Sequence, residues 1–288
     1  MPSMDEIEIM NLKSYKKLFS KALTNQYSKK EIDSLFYVLV DFYLGISRIK
    51  FIQEPMFFLS KNKINLLDSK LKLIKNKMPI QYVTGKVLHK KLTFYLNENV
   101  LIPRPETVEL CDWIISDQKN KISILDIGTG SGLISIILKK YLDNSNVEAW
   151  DKSIKALEIA KKNSLVNNVK INFKEVDVLK KIEFNNKYDL IVSNPPYVDK
   201  SEIPSIDVSV SKFEPHSAIF VDGDDNLVFY KKIIEFSKVA LNDLGVLYLE
   251  CHTDRIKSIK NLLKINNFKK IMIKEDLNGR ERMIKAYK

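Results

Sequence analysis

Apolar residues recur every three or four positions early in the chain, at Ile32, Leu35, Phe36, Val38, Leu39 and Phe42. That period lines them along one side of a helix. The same texture runs over residues 5–78, with a single glycine, Gly45, and with Pro55 dividing an earlier helix group from a later one around residues 57–74. A proline cannot sit inside a helix without removing a hydrogen bond, so it marks the division. Residues 1–78 therefore read as a small helical domain. Pro79–Gly85 breaks the pattern, and two short β-prone runs follow, Leu92–Leu96 and Val100–Ile102, with Asn97 and Asn99 between them. These predict a β-hairpin within a linker of residues 79–105, ended by Pro103 and Pro105. Glu106–Ile115 resumes as a helix with acid near its N-terminus, where it complements the helix dipole.

From Ile122 the period switches. Predicted strands at Ile122–Ile127, Val147–Trp150, Ile171–Phe173, Tyr188–Ser193 and Val246–Glu250 alternate with helices at Leu133–Leu142, Lys152–Asn163, Leu227–Leu241 and Arg255–Ile265. Lys269–Ile273 and Arg282–Tyr287 close the chain as strands. Such alternation argues for a doubly wound, Rossmann-like α/β sheet over residues 106–288. The expected fold class is thus α/β, with the helical domain joined to the sheet domain by the hairpin.

Composition changes this picture little. Of 288 residues, 45% are hydrophobic and 29% charged, which suits a globular protein with a sizeable core. No run of about 18 uninterrupted apolar residues exists, so no membrane association is expected. The mixed, partly acidic start Met1–Met10 lacks the form of a secretory signal. Cys111 and Cys251 are too few for a disulfide framework or a zinc site, and the chain is expected in the cytoplasm. His89, His216 and His252 are scattered, and His252 with Asp254 has no third ligand at a sensible spacing, so no metal is expected. The net charge of +11 favours a polyanionic neighbourhood. Lysine is spread through segments as distant as Lys61–Lys75 and Arg255–Lys270, which is a global skew rather than one patch. Direct nucleic-acid binding is not expected, and ribosome association is left open.

Two motifs carry chemistry. The first follows the strand Ile122–Ile127: Asp126, then Gly128, Thr129, Gly130, Ser131 and Gly132 ahead of a helix. Glycines there let the backbone approach a ligand. A dinucleotide fingerprint wants glycine at the first, third and sixth positions. Here the sixth is Leu133, so that reading fails, and the spacing instead resembles the first motif of S-adenosylmethionine methyltransferases. Asp151 ends the next strand, where an acid can accept from both ribose hydroxyls; it could also cap the following helix, as could Ser153. Asp177 can accept from an adenine amino group, with Val178 against the base.

The second motif is Asn194-Pro195-Pro196-Tyr197, after the strand Tyr188–Ser193. Open α/β sheets place ligands at the carboxyl ends of their strands. An amide or aniline-like nitrogen has its lone pair delocalised and must be held for attack. The Asn194 side-chain oxygen and the Pro195 carbonyl can accept its two N–H groups, fixing it and stabilising developing positive charge. Tyr197 offers an aromatic face, and the prolines stiffen the loop.

Beyond these motifs the chain resembles the release-factor glutamine methyltransferases. The likeness runs through Pro79–Gly85, Val100-Leu101-Ile102-Pro103-Arg104-Pro105-Glu106-Thr107, Leu125–Gly132, Ser193–Val198, Glu214-Pro215 and Asp276-Leu277-Asn278-Gly279-Arg280-Glu281-Arg282. The resemblance implies S-adenosylmethionine as cofactor, S-adenosylhomocysteine as product, and as substrate the glutamine amide in the Gly-Gly-Gln loop of a peptide-chain release factor. It also implies that the helical domain and hairpin help dock that factor. Val108 stands where a second acid is common, Val178 where a larger residue often lies beside adenine, and Asp222-Gly223 where two glycines are frequent. A ribosomal-protein glutamine methyltransferase shares the tetrapeptide and layout. An adenine-N6 nucleic-acid methyltransferase shares the tetrapeptide but would want a target-recognition domain. A non-catalytic binding module would show damage to the two motifs, and both are intact.

Overall fold

The computed structural model describes residues 10–118, 122–221, 223 and 225–288. The expectation for the first nine residues, the opening of the helical stretch from residue 5, and Asp222 lie outside the described residues. The chain divides into two compact units, one through Gly85 and one from Lys86.

The first unit is built from helices α1 (Leu12–Leu23), α2 (Lys29–Leu44), α3 (Arg48–Gln53), α4 (Lys61–Lys75) and α5 (Ile80–Thr84). A two-residue pair joins β1 (Met10–Asn11) to β2 (Phe58–Leu59). Helix α2 starts at a capping box, in which Ser28 Oγ accepts from Glu31 N–H while the Glu31 carboxylate accepts from Ser28 N–H. It ends at Gly45, whose left-handed φ of 67° closes the last turn. Ile32, Phe36, Leu39 and Val40 of α2 are buried against Leu12, Tyr15, Phe19 and Leu67, as the helical period requires. Val38 and Phe42 face outward instead. The helical pattern does break after α4, and between Pro79 and Gly85 the chain forms only the short α5, with Pro79 as its N-cap and Gly85, at φ 70°, as its C-cap.

The second unit begins with a hairpin of β3 (Lys86–His89) and β4 (Leu92–Tyr95). The hairpin thus lies a strand earlier than the sequence suggests, and Val100–Ile102 is loop. Its turn is Lys90-Lys91, both with positive φ, 49° and 63°. Lysine sends no turn signal of the Asn-Gly kind, so the strand pair is obscure in sequence.

Helix α6 (Pro105–Asp117) leads into β5 (Ser123–Ile127), α7 (Leu133–Tyr141), β6 (Asn146–Asp151), α8 (Ile154–Val166), β7 (Asn172–Glu175) and β8 (Tyr188–Ser193). Then come β9 (Val198–Asp199), a 3-10 turn at Lys200–Ser205, α9 (Val208–Phe213), α10 (His216–Ile219) and β10 (Phe220–Val221), with β9 and β10 paired in parallel. The chain closes with α11 (Val228–Ala240), β11 (Leu241–Glu250), α12 (Ile256–Ile265), β12 (Lys269–Glu275) and β13 (Glu281–Tyr287). Seven strands form one sheet in the order β12-β13-β11-β8-β5-β6-β7. The five from β11 to β7 run parallel, while β13 is antiparallel to both β11 and β12.

Both faces are covered. Ile124, Leu190, Val192 and Tyr248 pack towards α6 and α7, while Leu125, Ile191, Leu247 and Leu249 pack towards α11 and α12. This alternation explains why the central strands read as continuous apolar runs. The expected doubly wound α/β architecture is present. Among the described residues no helix is long and apolar enough to cross a membrane.

Candidate active site

The strand order fixes where a ligand belongs. From β5 the chain winds through β6 and β7 on one side, then crosses back to β8 on the other side of β5. A crevice opens at the carboxyl ends of the strands where the winding reverses. A cavity open to solvent, with about 780 Å³ of empty space counting that opening, lies there. Gly128 and Gly130 line it from the loop after β5, Asp151 from the end of β6, and Asp177 and Val178 from beyond β7. Asn194, Pro195 and Pro196 line it from the end of β8. Both sequence motifs therefore meet in one cavity.

The glycine loop is held by its neighbours. The amides of Gly128 and Thr129 donate to the Trp150 carbonyl at 2.8 and 2.9 Å. Gly128 and Gly130 have φ of 76° and 55°, and a Cβ on either would meet no protein atom within 4 Å. The open space beside them is what a ligand would fill, so the cradle fits the cofactor that its spacing suggests. Gly132 does something different. A Cβ there would come within 2.9 Å of Ile136 Cδ1 and 3.2 Å of Ala160 Cβ, so its smallness seats α7 against α8.

Asp126, Thr129, Ser131 and Gly132 do not line the cavity; they brace the loop. Asp126 is fully buried, and its Oδ2 accepts from the Thr129 hydroxyl at 2.6 Å and from Ser135 N–H at 3.2 Å. Burial raises its pKa to about 7, against the opposing pull of the Thr129 and Ser135 hydrogen bonds. Ser131 offers its carbonyl to Asn163 Nδ2 at 2.9 Å.

Asp151 reconciles its two readings. Oδ2 accepts from Gly130 N–H and Oδ1 from Ser153 N–H, both at 2.9 Å, so it locks the loop to the next strand while still lining the cavity. The helix cap itself is Ser153, which accepts from Ala156 N–H. Burial lifts the Asp151 pKa, and the hydrogen bonds from Ser153 and Gly130 oppose that lift. Replacing Asp151 by alanine is expected to weaken cofactor binding by about tenfold to a hundredfold, the scale of hydrogen bonds to a charged group. Titration calorimetry with S-adenosylmethionine checks it, and an unchanged Kd would remove Asp151 from the ribose role.

At the tetrapeptide, Ser193 Oγ donates to the Ile127 carbonyl at 2.7 Å, tying the ends of β8 and β5 together. Asn194 Nδ2 donates to Thr107 Oγ1 at 3.1 Å. Tyr197 is not a lining residue: its ring packs against His252, with centroids 5.8 Å apart, and its hydroxyl pKa is raised by burial. Its carbonyl accepts from Arg255 Nη1 at 2.6 Å, which anchors the end of the tetrapeptide.

Sequence reasoning did not find the rest of the wall. Asn99, Val100 and Leu101 reach the cavity from the loop before α6, and Pro215, Ser217 and Ala218 from near α10. One buried carboxylate joins these segments. Glu214, 3% exposed, pairs with Arg104 Nη2 at 2.6 Å and accepts from Ile102 N–H at 3.0 Å. The signal was present, since Arg104 and Glu214 both fall in motifs singled out above, but 110 residues separate them.

A mostly parallel sheet with a glycine cradle and an Asn-Pro-Pro turn at its switch point defines a methyltransferase. Residues 113–211 match the family described as Methyltransferase small domain. The fold is also similar to a methyltransferase from Pyrococcus furiosus, with TM-score 0.52, 16% identity, and coverage of 78% of this chain and 98% of that one. A T. thermophilus 16S rRNA methyltransferase in complex with AdoMet and guanosine gives TM-score 0.51 at 15% identity, covering 70% of this chain and 49% of that one.

Sequence relatives narrow the class. The chain is 42% identical to the release factor glutamine methyltransferase of Flavobacterium psychrophilum, over 96% of this chain and 99% of that protein. It is 33% identical to the protein of the same name in Bacteroides thetaiotaomicron, over 92% and 96%. The chain belongs to the release factor glutamine methyltransferase family.

Proposed function

We propose that this protein methylates the side-chain amide nitrogen of the glutamine in the Gly-Gly-Gln loop of a peptide-chain release factor. The carrying observation is that Asn194, Pro195 and Pro196 share one cavity with the Gly128–Gly130 cradle and Asp151. S-adenosylmethionine, when bound, supplies a methyl group on a sulfonium and departs as S-adenosylhomocysteine. Gly128, Gly130, Asp151, Asp177 and Val178 would hold it, with Asp151 towards the ribose and Val178 beside the base.

The protein's task is to present the nucleophile. An amide nitrogen is planar and weakly nucleophilic, and its lone pair must point at the methyl carbon. Asn194 Oδ1 and the Pro195 carbonyl accept its two N–H groups and favour the positive charge that develops as the new bond forms. The proton then becomes acidic and leaves to solvent, so neither a strong base nor a metal is required. The helical unit through Gly85, whose Ile49, Ile52 and Phe58 are exposed, is the part we assign to docking the factor. The buried free thiols of Cys111 and Cys251 suit a reducing compartment, and we place the protein in the cytoplasm.

The test is mass spectrometry after incubation with labelled S-adenosylmethionine and, in separate reactions, an unmethylated release factor, ribosomal proteins or nucleic acid. One methyl on the release-factor glutamine is expected. Label confined to ribosomal protein or to nucleic acid would replace the substrate assignment.

A further inference from the structure

Two buried polar groups behind the cavity, Thr107 and Glu250, form a directed chain with the partly buried Asn194 of its wall. Thr107, on α6, donates from Oγ1 to Glu250 Oε2 at 2.7 Å, and accepts from Asn194 Nδ2 at 3.1 Å. Thr107 is 5% exposed and Glu250, the last residue of β11, is 1% exposed. We infer that Thr107 and Glu250 are positioning residues that set which face of the Asn194 carboxamide the substrate meets.

A hydroxyl has a single proton. While Glu250 is ionised it can only accept, so the Thr107 proton goes to it and only a Thr107 lone pair remains for Asn194. That lone pair takes Nδ2, which leaves Oδ1 for the substrate. A carboxamide flipped by half a turn would set its own NH₂ against the incoming N–H groups. The relay therefore excludes the unproductive flip, and it does so without touching the substrate.

A protonated Glu250 reverses this. Its proton can be donated to Thr107, whose hydroxyl is then free to turn towards Asn194 Oδ1, and the flip is no longer excluded. Burial pushes the Glu250 carboxyl up to about 7, while the Thr107 hydrogen bond pulls it down. The charged groups around it are Glu106, which raises it, and Arg282 and Arg104, which lower it. Tyr197, Tyr230, Cys111 and Cys251 also face it, and burial raises each of them, so they stay neutral near pH 7. Glu250 is therefore neutral below about pH 7 and ionised above it, so turnover rises with pH through that range.

The proposal rests on the glutamine-methyltransferase reading, and its test is arranged to separate the two. Thr107→Val keeps shape and removes the hydroxyl. Its kcat should fall by about tenfold, the scale of one hydrogen-bond preference. The Kd for S-adenosylmethionine should stay within about twofold, since no contact to it is altered, and kcat should fall by more than the KM for the release factor rises. Thr107→Ser restores the hydroxyl and should recover most of the loss. Glu250→Gln should abolish the rise of kcat around pH 7; Asp126 has a similarly raised pKa, so this variant, rather than the wild-type profile, assigns the limb. Unchanged kcat in Thr107→Val, or a persistent limb in Glu250→Gln, overturns the relay.

A second readout needs no substrate. With ¹⁵N-labelled asparagine, the Asn194 side-chain amide signals, assigned by their loss in Asn194→Ala, should titrate near pH 7 in the wild type and not in Thr107→Val. Flat Asn194 signals overturn the relay. If they titrate as expected while wild type leaves the release factor unmethylated, the relay stands and the substrate reading falls.

Discussion

Asn194→Ala lowers the rate of methyl transfer by about a hundredfold to a thousandfold, the scale of losing one preorganised polar contact to a developing charge. The side chain sits at the carboxyl end of β8, in the same cavity as the glycine cradle. It is fixed from behind by Thr107, so its acceptor is in place before the substrate arrives. Preorganisation is what makes the loss large. Water could accept the same N–H groups, but it would have to reorganise as charge appears on nitrogen. The stability cost should be small, because Thr107 still donates to Glu250 in the variant. Single-turnover kinetics at saturating S-adenosylmethionine measures the effect, with thermal denaturation and cofactor Kd as controls. A rate within about threefold of wild type would remove Asn194 from the chemistry, since that is below the cost of one lost hydrogen bond. Asn194→Asp separates acceptor from donor. It keeps an oxygen for the substrate but sets an anion against Thr107 and the buried Glu250 carboxyl, so only partial recovery is expected.

What the sequence disclosed about this site was local. Tyr188–Ser193 is a strand with the limits its apolar run suggests, because a strand buried on both faces has little choice of residue. The glycine spacing and the tetrapeptide were legible for the same reason: each works through consecutive backbone atoms. The relay was not legible. Thr107 and Glu250 lie 143 positions apart, and each alone looks like an ordinary polar residue at the end of an element. The hairpin was misplaced because Lys90 and Lys91 take left-handed conformations that their side chains do nothing to announce. Tyr197 was expected to offer its face to the substrate; its ring packs against His252, and it is not among the residues lining the cavity. Adjacent positions can specify a turn, but they carry no record of which distant carboxylate will close a hydrogen-bond chain.

The same blindness hid Asn163, whose replacement by alanine should cost about 3–5 kcal/mol of stability, from several buried groups losing partners at once. Asn163 on α8 and Asn167, the residue that caps its C-terminus, lie one turn apart and act on β4 as a neighbouring strand would. Asn163 Oδ1 accepts from Tyr95 N–H at 2.7 Å, and its Nδ2 donates to the Tyr95 carbonyl at 3.0 Å. Asn167 repeats the pattern at Thr93, at 3.0 and 2.8 Å. Two asparagines at helical spacing thus match two residues at strand spacing, which is why neither periodicity flags them. Asn163 carries the larger burden, since Nδ2 also reaches the Ser131 carbonyl in the glycine loop and the side chain is fully buried. Alanine would leave all three backbone groups unpaired and open a small cavity. Urea denaturation followed by circular dichroism should show a lower midpoint with unchanged slope. Cofactor affinity should fall with it, because the loop loses a brace 2.9 Å from its own backbone. A loss under about 1 kcal/mol would mean that water or a shifted hairpin satisfies those groups, and that the loop does not depend on α8 for its shape.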